Sequence, residues 1–338
     1  MERLIEGYYV ETFEGLIFTV KGHLHPPQAV IAYLRYLPTP QGERQRGGIR
    51  YTRVYKFEEQ FNALKERYPQ YIFYDEVFNE VVQGVPYRNI AKVYSPREAV
   101  ARMVKQREEL NPLERDALEL IELLRDRTNV PSSSLGISGS ILVQLTTENS
   151  DIDFVVYGSK NCFRVHGVLQ ELLEKQEAEL ARLSVEELKR LYGEREAKVS
   201  LEKFIEQEGR KVIQAKFKDR EFFVRFIKDP EEVEERYGDR RYKPMGRAEI
   251  VARVVDASDA IFTPCTYIVN EVRFLEGRSV EKLTEITSFR GRFCEQAYEG
   301  DLIAARGKLE MVTDRNGETH YRLLLGGDPN DYLLAVDD

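Results

Sequence analysis

Seven consecutive residues, Asp151-Ile152-Asp153-Phe154-Val155-Val156-Tyr157, constrain this chain more than any other stretch. Their apolar, β-branched and aromatic content predicts a strand. Side chains in a strand alternate between its two faces, so Asp151 and Asp153 share one face while Ile152, Phe154 and Val156 line the other and belong to a core. Val155 continues the carboxylate face without adding charge. Two neighbouring carboxylates repel unless something positive lies between them. A hard divalent cation is the usual partner, and Mg²⁺ commonly takes one or two protein carboxylates and completes its shell with water and substrate phosphates.

The segment upstream adds to this. Leu135-Gly136-Ile137 reads as the end of a short strand, and Ser140-Ile141-Leu142-Val143-Gln144-Leu145 as the start of a helix that fills the ten-residue interval before Asp151. The join is Gly139-Ser140. Glycine lets a backbone or a phosphate come close, while serine suits a helix cap whose hydroxyl and neighbouring N–H groups meet an anion. Taken singly, a Gly-Ser pair is an ordinary cap and Asp-x-Asp an ordinary solvated sheet face.

Together, in this order and spacing, they resemble the signature of the DNA polymerase beta-like nucleotidyltransferase superfamily, carried here by Gly139, Ser140, Asp151 and Asp153. The resemblance covers about residues 111–229. It implies an α+β core, a short mixed sheet with helices. It also implies a metal-dependent transfer of a nucleoside monophosphate from an NTP to an acceptor hydroxyl, with RNA or DNA among the candidate acceptors. Asp151 and Asp153 are then the catalytic and metal-holding pair for Mg²⁺ or Mn²⁺, and Gly139 and Ser140 bind the nucleotide. Lys160, at the start of the next helix, and Arg225 are further candidate phosphate contacts. The superfamily commonly carries a third carboxylate on a later strand, in a hydrophobic-Asp-hydrophobic-Arg pattern. Here that strand reads Phe222-Phe223-Val224-Arg225, so Phe223 stands in the carboxylate's place, and Glu221 is the nearest substitute. The departure motivates an alternative reading: a nucleotide-binding or RNA-binding protein that kept the fold and lost the chemistry.

At 338 residues the chain is long enough for two or three domains. We expect three modules: residues 1–110 as an α+β module, 111–235 as the nucleotidyltransferase-like domain, and 236–338 as a small β-barrel of OB or SH3-like kind. Within the first, strands are predicted at Gly7–Thr12, Gly15–Lys21, Gln28–Leu37 and Ile49–Tyr55, and helices at Phe57–Tyr68 and Pro96–Glu109. Pro38–Gly48 reads as a mobile loop. Asn111-Pro112-Leu113-Glu114 marks a helix start, with Asn capping, Pro in the first turn and Glu placed for a capping box. Five strands between Ala248 and Leu325, with a tight two-residue turn at Asn316-Gly317, suggest the barrel.

Other motifs are weaker. His23 and His25 could share a metal, although a strand end explains them as well. Arg44, Arg46, Arg50 and Arg53 interleave with Tyr51 and Tyr55, a pattern that holds phosphates and stacks bases. Phe289-Arg290-Gly291-Arg292-Phe293 repeats that alternation, but reads better as two core aromatics with solvated arginines. The net charge of −8 excludes a sequence-independent coat for DNA. No run of about 18 apolar residues occurs, so no membrane association is expected. Cys162, Cys265 and Cys294 lie far apart without metal spacing, which fits reduced thiols in a cytoplasmic protein.

Overall fold

The computed structural model describes residues 3–195 and 199–336. The fold is α+β, and the chain divides into two compact units. The first comprises Met1–Glu76, Glu80–Glu171 and Phe217–Tyr237, and the second Val77–Asn79, Leu172–Lys216 and Gly238–Asp338. The boundary expected at residue 110 therefore falls inside the first unit, and residues 172–216 group with the C-terminal strands. No described helix is long and apolar enough to cross a membrane.

The first unit opens with β1 (Tyr9–Thr12), β2 (Ile17–Val20), β3 (Ala29–Pro38), β4 (Arg44–Arg46) and β5 (Ile49–Arg53). After helix α1 (Phe57–Arg67) come β6 (Ile72–Asp75), β7 (Glu80–Pro86) and β8 (Ile90–Tyr94). These strands form one sheet in the order β4-β5-β3-β2-β1-β8, with β7 paired to both β3 and β6. The segment read as a mobile loop thus contains β4, paired antiparallel with β5 and carrying the buried Arg44. Strands β6 to β8 were not legible as such, because their alternation is broken by Gly84 and Pro86 and several of their apolar residues face outward.

Next come α2 (Pro96–Lys105), α3 (Pro112–Thr128), β9 (Leu135–Ile137), α4 (Gly139–Leu142), β10 (Ile152–Tyr157) and α5 (Ser159–Lys175). The α3 start forms as expected: Asn111 Oδ1 accepts from the Glu114 amide at 3.0 Å, and Glu114 Oε2 accepts from the Asn111 amide at 3.1 Å. In the second unit lie β11 (Leu180–Ala181), α6 (Val185–Glu194), α7 (Leu201–Arg210) and most of β12 (Gln214–Phe217). The chain then returns to the first unit with β13 (Arg220–Ile227), which lies parallel to β10, while β9 lies antiparallel on β10's other side. The small sheet is therefore mixed, with β10 in its centre. Val155, Tyr157 and Ile227, from one face of this sheet, join Leu4 and Tyr8 and the strand residues Val10, Phe18 and Leu34 of the N-terminal segment in a single apolar core. Shared burial of that kind is the reason residues 3–110 do not stand apart.

In the second unit β14 (Arg240–Asp256), β15 (Cys265–Glu276), β16 (Leu283–Ser288), β17 (Leu302–Asp314) and β18 (Thr319–Leu325) follow, with β19 (Tyr332–Ala335) on the edge of β17. The pairing order is β14-β15-β16-β18-β17, and β14 also pairs with β17, so five strands close on themselves into a small barrel. β14 begins at Arg240, eight residues before the Ala248 at which the first barrel strand was expected. The β17–β18 turn is one residue longer than the two-residue kind: the Asp314 amide donates to Glu318 O at 2.9 Å, with Gly317 at φ +85°.

Candidate functional site

The carboxylate pair stands at the entrance to the central strand. Asp151 immediately precedes β10, and Asp153 is its second residue. Asp153 is level with Phe223 on β13, Val155 with Arg225, and Ile152 with Phe222. Asp153, Phe223 and Arg225 therefore share one sheet face, while Phe154, Val156, Phe222 and Phe226 fill the opposite, fully buried one.

The Gly-Ser turn meets this pair in an unexpected way. The expected ten-residue helix is a single turn, and the chain from Val143 to Asp151 is mostly irregular. Ser138, not Ser140, occupies the N-cap, and its hydroxyl is spent on the carbonyl of Gly7 at 2.8 Å. Gly139 has φ +61°, a conformation that favours glycine, and a Cβ there would lie 2.1 Å from Asp153 Oδ2 and 2.8 Å from Asp153 Cγ. The glycine makes room for the carboxylate itself. Ser140 is 7 % exposed, and its Oγ has no hydrogen-bond partner among the described residues. Buried hydroxyls are normally satisfied, so an orphan beside a carboxylate pair points to a ligand.

Neither Asp151 nor Asp153 accepts a side-chain hydrogen bond or lies in an ion pair among the described residues. Burial pushes the Asp153 carboxyl upward and the Asp151 charge adds to this; Arg225, Arg35 and Arg53 oppose them, and the balance is a pKa raised to about 6. Arg225 is shared with an acidic neighbour, its Nη1 lying 3.6 Å from Glu6 Oε1 and its guanidinium over the Phe223 ring at 5.3 Å. Lys160 is not brought to the pair. It is exposed on the first turn of α5, beyond the far end of β10, roughly 13 Å of strand away at about 3.3 Å per residue. Glu221 is the second residue of β13, level with Asp151 by continuation of the register.

Two carboxylates at the start of one strand, a cradle that a Cβ would fill and an orphan hydroxyl fit a divalent cation completed by water and phosphate oxygens. No group of three His, Cys, Asp or Glu that could hold a metal occurs among the described residues. The histidine pair does not supply one. His23 Nε2 is bonded to Lys228 O at 3.0 Å, His25 Nε2 to Leu4 O at 2.9 Å, and burial holds His25 down to about 4, a neutral structural residue.

The interleaved arginines divide. Arg44 donates to Leu145 O, and Arg46 donates to Val143 O at 3.0 Å, to Tyr94 Oη at 2.6 Å and to both oxygens of Glu11 at 2.8 and 2.9 Å. Both clamp the segment that follows the Gly-Ser turn, so neither is available as the phosphate contact the pattern suggested. Arg53 is different, since it and Arg35 are felt electrostatically by Asp153. The sequence contained the Arg53 signal, but nothing local tied it to residues a hundred positions away. Phe293 is buried and the Arg292 carbonyl accepts from Lys211 Nζ at 2.7 Å, so that motif serves the core of the second unit.

No family model matches the chain, and no solved structure matches it. It is 31 % identical over 328 residues, 94 % of either chain, to the uncharacterized protein MJ1086 of Methanocaldococcus jannaschii. The chain belongs to the same family as that archaeal protein.

Proposed function

We propose that this chain is a metal-dependent nucleotidyltransferase whose core has the polymerase beta-like arrangement and whose C-terminal barrel is of the OB kind. The observation that carries the reading is the packing of Gly139 against Asp153 beside the unpartnered Ser140 hydroxyl, because it unites the two halves of the motif at one point. Ser140 Oγ donates to a phosphate oxygen of the NTP, and the Gly139 backbone allows that phosphate to approach. Asp151 and Asp153 hold the cation, Mg²⁺ or Mn²⁺, which when bound neutralises and polarises the phosphates. The acceptor hydroxyl attacks the α-phosphorus, the bond to the β-phosphate breaks, and pyrophosphate leaves. With Phe223 level with Asp153, the usual position of the third carboxylate is apolar, and the hydroxyl's proton passes to Glu221, to water or to the departing pyrophosphate.

The barrel supports an acceptor role by analogy alone, since barrels of this topology bind single strands on an exposed face. The test is incubation with each labelled NTP, Mg²⁺ or Mn²⁺, and a panel of RNA, DNA and small hydroxyl acceptors. Incorporation that disappears in both Asp151→Asn and Asp153→Asn is expected; retained incorporation in both variants sinks the proposal. Phe223 favours a second reading, in which nucleotide or RNA is bound without transfer. Tight, salt-sensitive binding with no incorporation under any condition decides for it.

A further inference from the structure

The N-terminal sheet offers a pair of cations that its own fold does not use. Arg53 ends β5, directly opposite Tyr36 of β3 and on the same strand face as Tyr51. Tyr51 is buried, and its hydroxyl accepts from Arg46 Nη2 at 3.2 Å; Arg46 in turn holds Val143 O, four residues after Gly139. Arg53 is thereby placed on the face that packs toward the Gly-Ser turn. Its Nε is buried and has no hydrogen-bond partner, and the side chain enters no ion pair among the described residues. Arg35 is the extra residue of a bulge: Ile17 is level with Tyr36 and Phe18 with Leu34, leaving Arg35 unmatched. Bulges re-aim side chains and are over-represented beside active sites. The two guanidinium groups converge on one ring, Arg35 Cζ at 4.9 Å and Arg53 Cζ at 5.5 Å from the centre of Tyr55.

Electrostatics agree with this placement. Burial alone would push Arg53 down, but Tyr36, Asp151, Asp153 and Tyr9 outweigh it and raise it. An unpaired arginine kept in a partly desolvated place needs an anion, and the carboxylates beside it are already reserved for a cation. Arginine is suited to phosphate because its planar fork donates two parallel hydrogen bonds.

We propose that Arg53 and Arg35 form a phosphate subsite facing the Asp151–Asp153 pair, so that the N-terminal sheet contributes directly to substrate binding. The proposal rests on the nucleotidyl-transfer reading of that pair. The phosphate belongs either to the donor's polyphosphate tail or to a phosphorylated acceptor, and two titrations separate these.

In the first, inorganic tripolyphosphate with Mg²⁺ is titrated into the full chain by calorimetry. In the second, inorganic phosphate is titrated into protein saturated with Mg²⁺ and α,β-methylene-ATP. Loss of one charge-assisted bidentate contact weakens binding roughly 10- to 100-fold. Arg53→Met weakening the first titration by that factor assigns the subsite to the donor. Weakening of the second titration alone assigns it to the acceptor. Arg53→Lys, which keeps the charge but not the fork, should lie between in either case. Arg35→Met provides the same test at the bulge if Arg53→Met does not fold, with the melting temperature as the folding control. Unchanged binding in both titrations overturns the subsite while leaving the transfer reading intact. Mg²⁺ dependence of tripolyphosphate binding that survives Asp153→Asn instead overturns the carboxylate reading, whatever Arg53 does.

Discussion

Gly139→Ala is the substitution that probes the site most directly. The new Cβ would sit 2.1 Å from Asp153 Oδ2 and 2.8 Å from both Cβ and Cγ of Asp153, at a backbone φ of +61°. Two costs follow. Alanine in the left-handed region costs about 1–2 kcal/mol more than glycine. Carbon and oxygen that normally touch beyond 3 Å must also separate, and forced overpacking of this kind costs about 1–3 kcal/mol. Rotating the carboxylate alone does not relieve the contact, because the Cβ of Asp153 is also too close; α4 and β10 must move apart. The total is about 2–5 kcal/mol, read as a lowered urea midpoint at unchanged slope. The steric part disappears in an Asp153→Gly background and the backbone part stays, so a double-mutant cycle should show a coupling of about 1–3 kcal/mol. The same displacement of Asp153 is expected to reduce NMP transfer at least as much as Asp153→Asn does. A cost of about 1 kcal/mol in both backgrounds would refute the close packing of turn and carboxylate.

Two further predictions concern stability. In the second unit, burial would raise Glu208, but Lys211 and Arg195 outweigh it and hold its carboxyl at about 2, against an ordinary 4.5. A depressed folded pKa stabilises above the unfolded value and the effect is lost as pH falls, so about 3 kcal/mol should disappear between pH ~4.5 and ~2. Glu208→Gln should remove that acid slope and destabilise the neutral protein, since the fully buried Lys211 then loses its carboxylate at 2.7 Å; an unchanged acid transition would contradict the pairing. In the first unit, Arg46→Met leaves the partly buried Glu11 with the Tyr94 hydroxyl but no cation and releases Val143 O, with an expected loss of about 2–4 kcal/mol. Arg46→Lys should recover only part of this, and wild-type urea midpoints for Arg46→Met would show that the clamp contributes nothing.

The sequence by itself determined what depends on near neighbours. The capping box at Asn111 and Glu114 and the two-residue alternation that turns Asp153 away from Ile152 and Phe154 are written within a few residues of each other, and each formed, although the strand begins at Ile152, one residue after Asp151. So did the mixed α and β character and the five barrel strands, although β14 runs further back than composition suggested. The alignment of Phe223 with Asp153 also follows from pattern matching along two strands.

Tertiary structure decided the rest. That the Ser138 hydroxyl stands at the N-cap of α4 without capping it follows from its bond to the Gly7 carbonyl, more than a hundred residues away in sequence. The arginines between Arg44 and Arg53 look alike in sequence, yet Arg44 and Arg46 hold the Val143–Leu145 backbone while Arg53 remains unpaired beside the carboxylates. Lys160 looked well placed at a helix start, but that helix follows the end of β10 opposite the carboxylates. Periodicity and capping are local because they repeat every two to four residues. Which charged side chain meets which partner is set by strand register and by the shared core that joins residues 3–110 to β10 and β13, and no local pattern encodes a register between distant strands.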